Sequence, residues 1–73
     1  MAKTNVRNNI RKLRFARDEM TQQQLAELVG VTRQTIVAIE KEKYSPSLEA
    51  AFKIAAALDE SFDDVFSYDA SAK

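Results

Sequence analysis

TQQQLAELVGVTRQTIVAIEK, residues 21–41, decides how the chain folds. It reads as two short helices joined by a tight turn. Thr21 followed three positions later by Gln24 has the form of a capping box, in which each residue's side chain satisfies the other's backbone amide, and Leu25, Ala26 and Val29 give the helix it opens one apolar face. Gly30 ends that helix. Lacking a Cβ, glycine takes the left-handed conformation that a helix C-terminus needs before a sharp turn. Thr32 supplies the next N-cap, and Ile36 and Ile39, three apart, form the inner side of the second helix.

The outer side carries Arg33, Gln34, Val37, Ala38 and Lys41. Arginine and glutamine match guanine and adenine edges with two hydrogen bonds each. The helix starts point the same way. Acidic residues near a helix N-terminus offset the positive end of its dipole. Glu49 after Ser47, and Asp63 and Asp64 after Ser61, do this, whereas the two central helices open with Gln22, Gln23, Gln24 and with Arg33. An N-terminus left without carboxylates suits an external anion, and a nucleic-acid phosphate is the obvious one.

Composition narrows the alternatives. The chain has 73 residues, the length of one domain, and a chain this short buries only about 60% of its unfolded surface, which leaves little room for a catalytic cleft. It holds neither Cys nor His, which removes disulfides, thiolate nucleophiles, imidazole bases and most transition-metal sites; no cofactor or metal is expected, and no enzyme activity. Asp63 and Asp64 read as capping charges rather than an acid/base pair. No long apolar run or signal peptide is visible, so a cytoplasmic protein without membrane attachment is expected. A single Gly and a single Pro, with abundant Ala, Leu, Glu and Lys, predict an all-α chain.

The net charge of zero hides an uneven distribution. Residues 1–43 hold nine basic and five acidic side chains, and residues 44–73 hold two and six. A basic half carrying the two-helix unit and an acidic half facing away is what an oriented DNA binder needs.

Taken in order, residues 1–5 are polar and expected to fray, with Asn5 as N-cap of a first helix running to about Arg17; Val6, Ile10 and Leu13 form its stripe, and Arg7, Arg11 and Lys12 face solvent, the two arginines being either phosphate contacts or plain solvated surface, with the latter favoured for each taken alone. Met20 packs as a hydrophobic staple. The polar segment ending in Pro46 breaks the third helix. Ser47 opens a fourth, where Leu48, Ala51, Phe52, Ala55 and Leu58 are expected in the core, and Ser61 opens a short fifth, whose Phe62, Val65 and Phe66 fold back on helices one and four. One domain over residues 1–73 results, with its core at about 6–66 and a polar tail from 67. Phe62, Phe66, Tyr68 and Phe15 are either core or shared with a second copy of the chain.

With these residues in view, the chain resembles the DNA-binding domain of phage repressors and Xre-type regulators. TQxxLA, the helix-ending Gly30, the VTRQTI start, the IE pair and the YSPSL connector stand in that family's order. The resemblance implies a compact five-helix, lambda repressor-like domain with a central helix-turn-helix. It implies that Gln22 holds a DNA phosphate, that Arg33, Gln34, Val37 and Ala38 look into the major groove, and that Lys43, Tyr44 and Ser45 belong to a loop that touches the backbone. It also implies an internal pair between Glu40 and Arg14. With Thr32 and Lys41 added as phosphate neighbours, the expected function is a transcriptional regulator. We expect a repressor binding an inverted-repeat operator in double-stranded DNA as a homodimer, with no small-molecule ligand. Val37 and Ala38 are either thymine-methyl contacts or partly buried core, and the former is favoured because Ile36 and Ile39 already fill the inner face. An antitoxin with a toxin partner and a protein-interaction adaptor are the alternatives. Two departures stand out: Asp18-Glu19 where many members carry one glycine, and Leu28 where the family is usually polar.

Overall fold

The computed structural model describes residues 4–70. The expectations placed on residues 1–3 and 71–73 lie outside them. In chain order the elements are β1 (Val6–Asn8), α1 (Ile10–Ala16), α2 (Gln22–Val29), α3 (Arg33–Glu40), α4 (Leu48–Leu58), α5 (Phe62–Val65) and β2 (Phe66–Tyr68).

The five helices are present, but the chain is not strictly all-α. β1 and β2 pair antiparallel, with Val6 opposite Tyr68, Arg7 opposite Ser67 and Asn8 opposite Phe66. Two flanking bonds extend the ladder, from Asn9 N–H to the Val65 carbonyl at 2.9 Å and from Asp69 N–H to the Asn5 carbonyl at 2.9 Å. Val6 therefore lies in a strand, α1 starts four residues later than expected, and its N-cap is Asn9 rather than Asn5. The cause is local. Asn8 and Asn9 are poor helix residues whose side chains compete for backbone groups. The Asn8 side-chain oxygen accepts from Ile10 N–H at 3.1 Å, and its amide donates to the Ile39 carbonyl at 2.9 Å. At the other end Phe66 leaves α5 in extended conformation, so Ser67 and Tyr68 belong to a strand, not to a tail.

The core is one cluster built from Ile10, Leu25, Ala26, Val29, Ile36, Ile39, Ala51, Ile54, Ala55, Leu58, Val65 and Phe66, with Val6, Leu13, Met20 and Phe62 among the residues packed against it. On α4 the buried stripe is Ala51, Ile54, Ala55 and Leu58. Leu48 and Phe52, expected inside, are 67% and 54% exposed. Residues 51, 54, 55 and 58 follow the helical i, i+3, i+4, i+7 pattern, and 48 and 52 fall off its edge.

The turn between α1 and α2 is unusual in its backbone. Asp18 and Glu19, where a single glycine would suit, both have φ of +56°. A side chain in this left-handed region costs roughly 1–2 kcal/mol. We expect Glu19→Gly to raise stability by about 0.5–1 kcal/mol after the larger entropy loss of glycine is subtracted. The urea midpoint reads this directly, and a lowered midpoint would mean that the Glu19 side chain compensates its own strain.

Candidate nucleic-acid interface

The central unit forms through the capping groups its sequence carries. Thr21 Oγ1 accepts from Gln24 N–H at 3.0 Å, and Gln24 Oε1 accepts from Thr21 N–H at 2.8 Å. α2 ends at Gly30, with φ +86°, whose N–H donates to the Ala26 carbonyl at 2.8 Å. Nothing lies within 4 Å of where a Cβ would sit, so glycine is needed there for its conformation and not for space. Thr32 Oγ1 caps α3 by accepting from Thr35 N–H at 3.2 Å. Neither α2 nor α3 has an acidic residue in its first turn, in contrast to α4 and α5.

Ile36 and Ile39 turn inward against α2 and are buried. This orients the rest of α3. Arg33 and Gln34 are exposed, Val37 and Ala38 are half-buried, and Lys41 is exposed at the helix end. Thr32 is exposed, with its hydroxyl engaged by the cap and by Thr35 Oγ1 at 3.0 Å. Chemically this surface offers one guanidinium and one amide at the start of a helix, two small apolar side chains in the next turn, and an ammonium at its end.

Beneath it lies a buried ion pair. Glu40 accepts from Arg14 Nε at 2.6 Å and from Arg14 Nη2 at 3.1 Å, a two-point contact between α1 and α3. Arg14 Nη1 donates to the Met20 carbonyl at 2.7 Å, and Gln22 Nε2 donates to Glu40 at 3.2 Å. Gln22 thus starts α2 half-buried, its amide nitrogen tied to the pair and its side-chain oxygen without a bond among the described residues. Its bond to Glu40 is tertiary, and no sequence signal announces it.

Gln22, Val37, Glu40 and Lys41 line one surface depression together with Arg11, Arg14 and Phe15. Lys43, Tyr44 and Ser45 are exposed in the loop beyond α3, and Ser45 borders a different, mainly apolar hollow with Leu48, Phe62 and Tyr68. The loop is anchored from behind. Glu42, at φ +62°, accepts from Asn8 N–H at 3.3 Å and lies 3.6 Å from Arg7, which also reaches Asp69 at 3.5 Å. Arg7, expected to face solvent on a helix, is instead the strand residue that ties this loop to the end of β2.

Among the described residues no cluster of His, Cys, Asp and Glu is placed to hold a metal ion, and no helix is long and apolar enough to cross a membrane. A family profile described as "Helix-turn-helix" (HTH_3) matches residues 10–65. The chain is 47% identical over 64 residues to an "Uncharacterized HTH-type transcriptional regulator" of Archaeoglobus fulgidus, covering 88% of this chain and 89% of that protein. It is 49% identical over 61 residues to the HTH-type transcriptional regulator YgzD of Bacillus subtilis, covering 84% and 91%. Among solved structures it is similar to the restriction-modification controller protein C.AhdI of Aeromonas hydrophila, with TM-score 0.69 and 33% identity, covering 75% of this chain and 82% of that one.

Proposed function

The chain belongs to the Xre-like HTH_3 helix-turn-helix family of DNA-binding transcriptional regulators, and from that premise we propose that it is a repressor that binds an inverted-repeat operator as a homodimer. α3 enters the major groove, Arg33 and Gln34 read base edges, and Val37 and Ala38 meet thymine methyl groups. Gln22, Thr32, Lys41 and the loop Lys43, Tyr44 and Ser45 hold phosphates and fix register, aided by the free amides at the starts of α2 and α3. Repression follows from occupying a promoter in the cytoplasm.

The observation that carries this reading is the division of α3. Its apolar side is consumed by the core, and its other side presents Arg33 and Gln34 at a helix N-terminus that has no carboxylate of its own. Dimerisation is supported by exposed apolar side chains on α4 and β2, Leu48, Phe52 and Tyr68. Phe52 lies 5.0 Å, ring centroid to centroid, from half-buried Phe62, which in turn lies 5.3 Å from Phe66 in the core. A C2 dimer burying that surface would present two α3 helices, and operator readers of this kind space them about one helical turn, ~34 Å, apart.

Selection from a random duplex library, followed by titration of the enriched DNA, tests the proposal. An inverted repeat should emerge. On it, Gln34→Ala is expected to lose roughly 1–3 kcal/mol and to relax base preference, while Lys43→Ala weakens all sequences alike and lowers the salt slope by about one. If no duplex is enriched, an interaction role replaces DNA reading. If the two variants behave identically on every sequence, the division between base and phosphate contacts is wrong.

A further inference from the structure

Among the arginines of the N-terminal region, Arg11 differs in what it touches. Arg7 is bonded to the Thr4 carbonyl, Glu42 and Asp69, Arg14 is committed to Glu40 and the Met20 carbonyl, and Arg17 lies 3.6 Å from Asp59. Arg11 makes no ion pair or hydrogen bond from its guanidinium to any described residue. Its guanidinium carbon instead sits 5.5 Å from the centroid of the Phe15 ring, one helical turn along α1. Arg14 approaches the same ring at 5.4 Å. Phe15 is 51% exposed, so it adds little to the core for a side chain of its size.

From this arrangement we infer that Arg11 is a further phosphate contact of the DNA interface and that Phe15 is its positioning residue. A guanidinium stacked on an aromatic face keeps its N–H fork free at the edges, while the ring restricts the rotamers of an otherwise flexible side chain. The place is right as well. Arg11 and Phe15 border the same depression as Gln22, Val37 and Lys41, so Arg11 on α1 and Lys41 on α3 put positive charge on two sides of it. A phosphodiester strand beside the groove that α3 enters is complementary to both. The inference rests on the DNA-binding reading above and extends the contact surface to α1.

The test uses duplex enriched by library selection, titrated across a range of salt with the wild type, Arg11→Ala, Phe15→Leu and the double variant, each checked for an unchanged melting temperature. Arg11→Ala is expected to weaken binding on the order of five-fold and to reduce the salt slope by about one. Phe15→Leu, which keeps an apolar side chain but removes the ring, should weaken binding roughly two- to five-fold, and the double variant should be no weaker than Arg11→Ala alone. Wild-type affinity and slope in Arg11→Ala, with Gln34→Ala still impaired, would overturn the contact and leave the DNA reading intact. Additive losses in the double variant would overturn the positioning role of Phe15. A wild type that binds no duplex would remove both readings together.

Discussion

Glu40→Ala is expected to destabilise the domain by about 3–5 kcal/mol, most of what a chain of this size has. The side chains of Arg14 and Glu40 are 6% and 8% exposed, and three donors converge on the two carboxylate oxygens. Truncating the carboxylate leaves a guanidinium in the interior with the Met20 carbonyl as its remaining hydrogen-bond acceptor among the described residues. The loss measures an uncompensated buried charge, not the net worth of the pair, and this makes a second variant informative. Replacing both partners, as Arg14→Met with Glu40→Leu, removes the charge and the need for it, and should recover most of the loss. In a domain of this length each kcal/mol moves the melting temperature by about 4–8 °C, so the single variant should melt at least ~12 °C lower. Urea unfolding measures both. A cost below about 1 kcal/mol for Glu40→Ala would place the pair with ordinary surface bridges.

Ile36→Ala should cost about 2–5 kcal/mol. Ile36 is fully buried on the inner face of α3 and belongs to the cluster containing Leu25, Ala26 and Val29 of α2. The cost combines lost transfer free energy with a cavity that two short helices held by tight caps can close only in part. Its functional meaning comes from contrast with a neighbour two positions away. Gln34 is exposed and has no side-chain bond among the described residues, so Gln34→Ala should leave stability within about 0.5 kcal/mol of wild type. One variant is then lost to unfolding and the other to DNA. Denaturation and duplex titration on the same samples separate them, and a stability loss in Gln34→Ala equal to that in Ile36→Ala would show that the two sides of α3 are not distinct.

The α2–α3 unit was legible because its signals are local: a capping box, a glycine in a left-handed turn and a second threonine cap act within a few residues of one another. The candidate site inherits that legibility, since Arg33, Gln34 and Val37 follow once Ile36 and Ile39 are known to face inward. The strands were not legible. Three residues carry no period, and Val6 satisfies a helical stripe as well as a strand until its partner Tyr68 is known. Leu48 and Phe52 misled for a related reason, because apolar side chains at a helix edge match the composition of a core they do not enter. Arg7 reads in sequence as a solvent-facing helix residue and Gln22 as a phosphate contact, and neither reading reveals the acidic partners, Glu42 and Asp69 for the first and Glu40 for the second, which come from distant parts of the chain.

The β1–β2 ladder has a kinetic consequence. It joins segments from opposite ends of the described chain, and the Arg7–Asp69 contact beside it spans 62 positions. Closing so long a loop returns only a few hydrogen bonds, so assembly is expected to begin among the sequence-adjacent helices α2, α3 and α4, with the sheet closing late. Interactions absent from the transition state govern how fast a fold is lost rather than how fast it is gained. The ladder therefore acts as a latch on the helical body: weakening it shortens the lifetime of the folded domain and leaves its rate of formation almost unchanged.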